Sequence, residues 1–286
     1  MPSLRSLAEM VRFEHSVFAL PFALVGMMYA ADGFPSARVV VLILVAMVSA
    51  RTAAMTFNRI ADVTFDSENP RTKNRALVTG EIGMQTAVVT LLVSAGVFII
   101  SAALINRLTL MLAPIALMVL LGYSYTKRFT PLCHLFVGLS LGIAPAAAWV
   151  AVTGVFSWTP VYWLLGVTFW TGGFDVLYAL QDEAYDRERG LKSLVVTLGA
   201  KNAILASRIF HVAALLFLLA AGVTVGAGLP YFVGCAFAGS LLLYEQSLVK
   251  PGDLSKLNLA FFTLNGYIAV SFFFFALIDV LTRSAR

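Results

Sequence analysis

The sequence predicts an all-α integral membrane protein with about nine transmembrane helices around a central cavity open to the cytoplasm and to lipid. Three observations predict it. Of the 286 residues, 60% are hydrophobic and 12% charged, and mean hydropathy is +0.88, a composition that could not cover a soluble domain's surface with polar groups. Apolar runs long enough to cross a hydrocarbon core of about 30 Å recur along the whole chain. Acids and bases gather in a few connections between those runs.

Apolar stretches bounded by Gly, Pro and charges predict spans at 14–31, 38–61, 85–105, 108–124, 132–152, 160–182, 203–223, 229–247 and 258–281. The first run follows Arg5 and Arg12 as a signal peptide would, but it lacks a small-residue cleavage site and reads as a retained helix. Only Asn106 and Arg107 separate the third span from the fourth. Pro21 and Pro145 fall inside spans and are candidates for kinks. The last span carries the cluster Phe272 to Phe275, read as packed or lipid-facing. No separate soluble domain fits between the spans, so 1–286 reads as one domain.

Lys and Arg fix the expected orientation. Arg5, Arg12, Arg59, Arg71, Lys73, Arg75, Lys127, Arg128, Arg187, Arg189, Lys192, Lys201, Lys250 and Lys256 fall on one side. Arg38, Arg107, Arg283 and Arg286 fall on the other. Basic loops face the cytoplasm, which places the N-terminus inside, in a bacterial cytoplasmic membrane. The net charge of +5 is explained by this topology and by anionic lipid, and nucleic acid is not an expected partner. No protein partner is indicated. Cys133 and Cys235 are too isolated for a disulfide framework or metal site, and His15, His134 and His211 have no ligand spacing.

The ends of the second and sixth spans look alike. Asn58, Asp62 and Asp66 lead into a loop with Arg71, Lys73 and Arg75; Asp182 and Asp186, preceded by Asp175, lead into one with Arg187, Arg189 and Lys192. Four spans separate the two, which puts both on one membrane face. The pattern suggests an internal duplication, 14–124 and 132–247 plus a ninth helix at 258–281, with a site where the copies face each other.

Residues four apart on a helix rise about 6 Å per step and form one stripe, so Asn58, Asp62 and Asp66 share a face. A single carboxylate there could be a solvated helix end. Two pairs on one membrane face, each followed by bases, point instead to a shared cation, because converging carboxylates repel and are costly near lipid. Hard oxygen ligands that leave room for substrate phosphates suit Mg²⁺. Arg71, Lys73, Arg75, Lys127 and Arg128 would then grip a diphosphate. Arg51 lies about two turns before Asn58 on the same face, deeper in the membrane, and an intramembrane Arg favours a substrate carboxylate or phosphate as partner. Tyr123 and Lys127 are one turn apart at the end of the fourth span.

The set Asn58-x-x-x-Asp62-x-x-x-Asp66, Tyr123-x-x-x-Lys127, and Asp175 with Tyr178-Ala-Leu-Gln-Asp182-x-x-x-Asp186 resembles the UbiA superfamily of intramembrane prenyltransferases over nearly the whole chain. Tyr123-Ser-Tyr-Thr-Lys-Arg-Phe-Thr and Asn69-Pro-Arg-Thr-Lys-Asn-Arg-Ala-Leu look like the 4-hydroxybenzoate polyprenyltransferase branch. Phe13-Glu-His-Ser-Val-Phe-Ala-Leu-Pro-Phe-Ala looks like relatives of the futalosine-type menaquinone pathway, whose acceptor is a dihydroxynaphthoate. The first motif departs from many relatives by reading Asn58-Arg59 where they have Asn-Asp.

The resemblance implies that Asn58, Asp62, Asp66, Asp182 and Asp186 hold Mg²⁺ and the diphosphate. It implies a catalytic group of Asp182, Lys127, Tyr123 and Asp175, and substrate contacts from Arg51, Arg71, Lys73, Arg75, Arg128 and Tyr178. The implied reaction moves a polyprenyl group from its diphosphate to a 4-hydroxybenzoate-type ring in respiratory quinone biosynthesis, with 1,4-dihydroxy-6-naphthoate as alternative acceptor and other UbiA-type acceptors behind it. A transporter of an anionic solute is the reading from another class, but it requires polar residues through the full depth of the bundle. Here the acids cluster at one face and the outer halves are apolar.

Overall fold

A computed structural model describes Met10 and residues 18–284, and these are helical almost throughout. Arg5, Arg12, residues 13–17 of the Phe13 segment with His15, and Arg286 lie outside the described residues. The helices are α1 (Leu20–Ala31), α2 (Ala37–Ala61), α3 (Val63–Glu68), α4 (Met84–Ile105), α5 (Arg107–Thr126), α6 (Cys133–Thr153), α7 (Thr159–Ala179), α8 (Glu183–Glu188), α9 (Leu194–Thr224), α10 (Leu229–Leu248) and α11 (Asn265–Ser284). A 3₁₀ turn, Leu180–Asp182, joins α7 to α8, and a π-helical turn, Leu259–Leu264, leads into α11. Among the described residues, seven helices are long and apolar enough to cross a membrane, and α1 is a shorter apolar helix.

The expected spans map onto α1, α2, α4, α5, α6, α7, α9, α10 and α11. Asn106 alone parts α4 from α5. Its backbone is extended and its Oδ1 accepts from the Thr109 N–H at 2.8 Å and hydroxyl at 3.0 Å, so one residue ends a helix and caps the next. The largest difference is at α9, which begins at Leu194 rather than near 203. Ser193 caps it by accepting from the Val196 N–H, and Gly199, at φ +74°, then turns the chain where other residues would be strained. That break, with Lys201 and Asn202 after it, hides the first turn from a hydropathy reading. Pro21 lies in the first turn of α1, where no helical hydrogen bond is lost, whereas Pro145 is inside α6.

Of the described residues, Met10 and 36–125 form one compact unit, and 18–35 with 126–284 form another. In the first, α2 packs along α4. Phe57 meets Tyr125 of α5 edge to face at 5.7 Å, and Met10, Leu77, Ile82 and Ala87 form a small core beneath the 69–83 loop. Val41, Leu44, Val45 and Val48 of α2 and Leu92, Val93, Ile100, Met111, Ile115 and Met118 of α4 and α5 are exposed, as lipid-facing side chains are.

The second unit is a closed ring. Helix α1 packs on α6, α6 on α7, α7 on α9, α9 on α10, α10 on α11, and α11 on α1. Buried polar groups tie the ring. Tyr29 Oη donates to Asp279 at 2.7 Å, Trp163 Nε1 to Tyr231 Oη at 3.0 Å, Tyr231 Oη to the Leu218 carbonyl at 2.7 Å, and Trp170 Nε1 to Asn265 Oδ1 at 2.7 Å. Phe272 is buried and stacks on Phe22, while Phe274 is exposed, so the Phe cluster serves both expected purposes.

Helices α6 and α7 approach closely through Gly138-x-x-x-Gly142, where a Cβ on Gly138 would collide with the Thr168 carbonyl. Gly138→Leu is therefore expected to destabilise the protein by about 1–3 kcal/mol through overpacking. Thermal unfolding in detergent micelles checks this; an unchanged midpoint would show that the helices part at no cost.

Candidate active site

Both acidic motifs adopt the same local backbone. Helix α2 ends at Ala61, and Asp62 stands at φ −102°, ψ 7° before the six-residue α3, whose fourth residue is Asp66. The second motif repeats this: Asp182 stands at φ −100°, ψ 2° before the six-residue α8, whose fourth residue is Asp186. The bridge conformation is sparsely populated and recurs at active sites. In the first motif the backbone bonds Asp62 N to Asn58 O (3.0 Å) and Asp66 N to Asp62 O (2.8 Å) persist through the break, so the expected stripe is kept while the helix axis is interrupted.

In the first unit Asp62 and Asp66 are buried. Asn58 Nδ2 donates to Asp62 Oδ2 at 3.1 Å and to Ser124 Oγ at 3.4 Å, while Asn58 Oδ1 accepts from Arg59 Nη1 at 3.1 Å. Arg59, counted from the sequence only as an inward charge, is thus a buried member of the motif, and the Asn58-Arg59 departure was the signal for it. Arg75 pairs with Asp66 Oδ2, and Thr72 Oγ1 donates to the Asp66 carbonyl at 3.1 Å. Asn69 holds the turn by accepting from the Arg71 N–H at 2.9 Å; the side chains of Arg71 and Lys73 are exposed. Arg51 is half-buried, and its charge acts on Tyr123 together with those of Arg59 and Asp62, so the structure brings these four together. Tyr123 Oη reaches Met55 Sδ at 3.9 Å.

The second unit holds Lys127, Arg128, Asp175, Tyr178, Asp182 and Asp186, all half-buried. Tyr178 stacks on Phe261 of the π-helical turn with ring centroids 4.0 Å apart. Lys127 is anchored through its carbonyl, which accepts from the Lys192 N–H at 2.6 Å. Asp175 Oδ2 lies 2.7 Å from His134 Nδ1, a partner the sequence did not reveal because 41 residues separate them. An open cavity of about 660 Å³ lies against α8, lined by Leu180, Gln181, Glu183, Ala184, Arg187, Glu188 and Leu254. Asp182 and Asp186 are not among its lining residues.

Residues 19–277 match the UbiA prenyltransferase family. The chain belongs to that family. Similar UbiA-family relatives are the 4-hydroxybenzoate octaprenyltransferase of Nitrosospira multiformis, 30% identical over 91% of this chain and 89% of its own, and that of Aromatoleum aromaticum, 31% identical over 85% and 82%. Among solved structures, the apo UbiA homologue from Aeropyrum pernix K1 superposes with a TM-score of 0.85 at 32% identity, covering 93% of this chain and 98% of its own. A UbiA homologue from Archaeoglobus fulgidus bound to GPP and Mg²⁺ gives 0.74 at 19% identity over 96% and 99%, which shows the common fold.

The donor chemistry of this UbiA chain fits a magnesium ion shared with a diphosphate. Among the described residues no three His, Cys, Asp or Glu side chains form a ligand group by themselves. Each motif offers two carboxylates one turn apart, and Mg²⁺ typically takes one or two carboxylates and fills its octahedron with water and phosphate oxygens.

The Arg75–Asp66 pair also stabilises the first motif. Arg75→Ala would leave a buried carboxylate without its cation, and with 22% of the Arg75 side chain exposed the expected loss is about 1–3 kcal/mol, below that for a fully buried pair. Unfolding in Mg²⁺-free micelles checks this, with Arg75→Met/Asp66→Asn expected to regain most of the loss.

Proposed function

We propose that the protein transfers a polyprenyl group from polyprenyl diphosphate to the ring of 4-hydroxybenzoate, in a Mg²⁺-dependent reaction of respiratory quinone biosynthesis. The observation that carries this reading is the pair of like-built motifs, each a helix broken at an aspartate with a second aspartate one turn on and basic residues following. The names of the relatives that match most of the chain support the acceptor, and the half-buried Arg51 supports one that bears a carboxylate.

Asp62, Asp66, Asp182 and Asp186 would hold the cation, with Asn58 and Arg59 orienting the Asp62 carboxylate. When bound, Mg²⁺ neutralises charge on the diphosphate oxygens as the allylic C–O bond breaks. Arg71, Lys73, Lys127 and Arg128 add fixed positive charge for the leaving diphosphate, Arg75 keeps Asp66 in place, and Tyr123 steadies the leaving group from the end of α5. Arg51 receives the acceptor's carboxylate, and Asp182 and Tyr178 help orient its ring. The ring carbon beside the hydroxyl attacks the allylic cation, and the proton it then loses passes to Asp175, whose Oδ1 is not the oxygen held by His134. Apolar surroundings shield the cation from water, and the isoprenoid tail extends among lipid-facing side chains.

The reading is tested by prenyl transfer with purified protein in membranes, offering 4-hydroxybenzoate and 1,4-dihydroxy-6-naphthoate in parallel. Transfer to 4-hydroxybenzoate is expected, abolished by EDTA and lowered at least about 100-fold by Asp62→Ala. Transfer to the naphthoate alone would move the protein to the menaquinone branch, and transfer to neither by folded protein would reject an aromatic-acid acceptor.

We also propose that the acidic motifs face the cytoplasm, on the strength of the Lys and Arg asymmetry. Cys133 and Cys235 are both buried, so a membrane-impermeant maleimide has little background in intact cells. Arg107→Cys is expected to label from outside and Lys73→Cys only after permeabilisation; the reverse pattern would invert the topology.

A further inference from the structure

We infer that His134 is a positioning residue for the proton-transfer step: it fixes one oxygen of Asp175 and leaves the other for the acceptor ring. The inference rests on the reading under Proposed function.

His134 is 2% exposed in the first turn of α6, and both of its ring nitrogens are engaged. Nδ1 lies 2.7 Å from Asp175 Oδ2, and Nε2 faces the Leu194 N–H at 3.4 Å. A backbone N–H can only donate, so Nε2 carries the lone pair and the proton sits on Nδ1, directed at Asp175. The imidazole therefore spans α6, α7 and the first residue of α9, and Asp175 cannot rotate without breaking that bond. The Asp175 side chain keeps 25% exposure, so the carboxylate is held on one side and open on the other.

The same turn of α6 touches Lys192, whose backbone is bonded to that of Lys127. Cys133 Sγ lies 3.5 Å from the Lys192 carbonyl, and the Lys192 N–H bonds the Lys127 carbonyl at 2.6 Å. The histidine thus sits where a candidate base and a candidate diphosphate ligand are referenced to one piece of backbone. In the step itself the ring C–H bond breaks, its electron pair restores aromaticity, and the proton moves to Asp175 Oδ1; His134 neither gains nor loses a proton. Supporting hydrogen bonds of this kind are what hold a reacting group to within a fraction of an ångström.

Two substitutions separate the two bonds of the imidazole. His134→Asn places an amide donor near the position of Nδ1 and keeps the bond to Asp175. His134→Gln places its amide near Nε2 and keeps only the link to Leu194. In prenyl transfer to 4-hydroxybenzoate, His134→Gln is expected to lower kcat about 10–100-fold with KM for polyprenyl diphosphate changed less than about 3-fold, while His134→Asn stays within about 5-fold of wild type. Added to Asp175→Asn, His134→Gln is expected to cost less than about 2-fold more, because both act on one group. Equal activity of the Asn and Gln variants, or full additivity with Asp175→Asn, would overturn the role of His134 while leaving the proposed reaction intact. A wild-type protein that prenylates no aromatic acid would reject the reaction, and this inference with it.

Discussion

A polar group in apolar surroundings must find its partner inside the protein, and this constraint shapes most of what is distinctive in the chain. Two buried hydrogen bonds of the six-helix ring join helices far apart in sequence: Trp170 to Asn265 across 95 residues, Tyr29 to Asp279 across 250. Asn265 shows how fully the rule is applied. Its Oδ1 takes the indole N–H, and its Nδ2 donates to the Ala260 and Phe261 carbonyls in the π-helical turn, where regular α-helical bonding is interrupted. The irregular turn is thereby satisfied, and it presents Phe261 to Tyr178.

The same constraint explains where the acids stand. Asp62 and Asp182 occupy helix breaks rather than helix interiors, and Asp66 and Asp186 lie on short helices beyond them. A carboxylate in mid-membrane would need a permanent counter-charge. One at a break can take its counter-charge from the loop that follows, as Asp66 does from Arg75. The two motifs share φ and ψ at Asp62 and Asp182 to within a few degrees. Asp66 is pinned by Arg75 and Asp62 by Asn58, and in the second motif Glu183 takes the Arg187 side chain at 2.9 Å.

The first turn of α6 is the point at which structure and proposed chemistry meet. Cys133 and His134 are among the most ordinary-looking residues in the sequence, a lone thiol and a lone imidazole at the start of an apolar run. In the fold they touch the 192–194 backbone and Asp175, so one turn of helix references α7, α9 and the segment after α5. The directed bonds of His134 tie Asp175 and the Leu194 backbone to that turn.

The order and approximate positions of the long apolar helices were legible in the sequence because lipid thickness sets how long an apolar run must be, and that is a local property. The runs read at 85–105, 132–152 and 229–247 appear as Met84–Ile105, Cys133–Thr153 and Leu229–Leu248. The acidic stripe was legible too, since a four-residue spacing fixes a helix face without reference to the rest of the chain. Hidden from that reading were the early start of α9, masked by the left-handed Gly199, and the breaks at Asp62 and Asp182, which a four-residue repeat continues through unchanged. Only the tertiary structure decided that α1 packs on α6 and α11, that Arg59 turns inward to Asn58, and that His134 finds Asp175. Hydropathy and period are carried by neighbours in sequence, whereas the partner of a buried polar group is chosen by how distant helices pack.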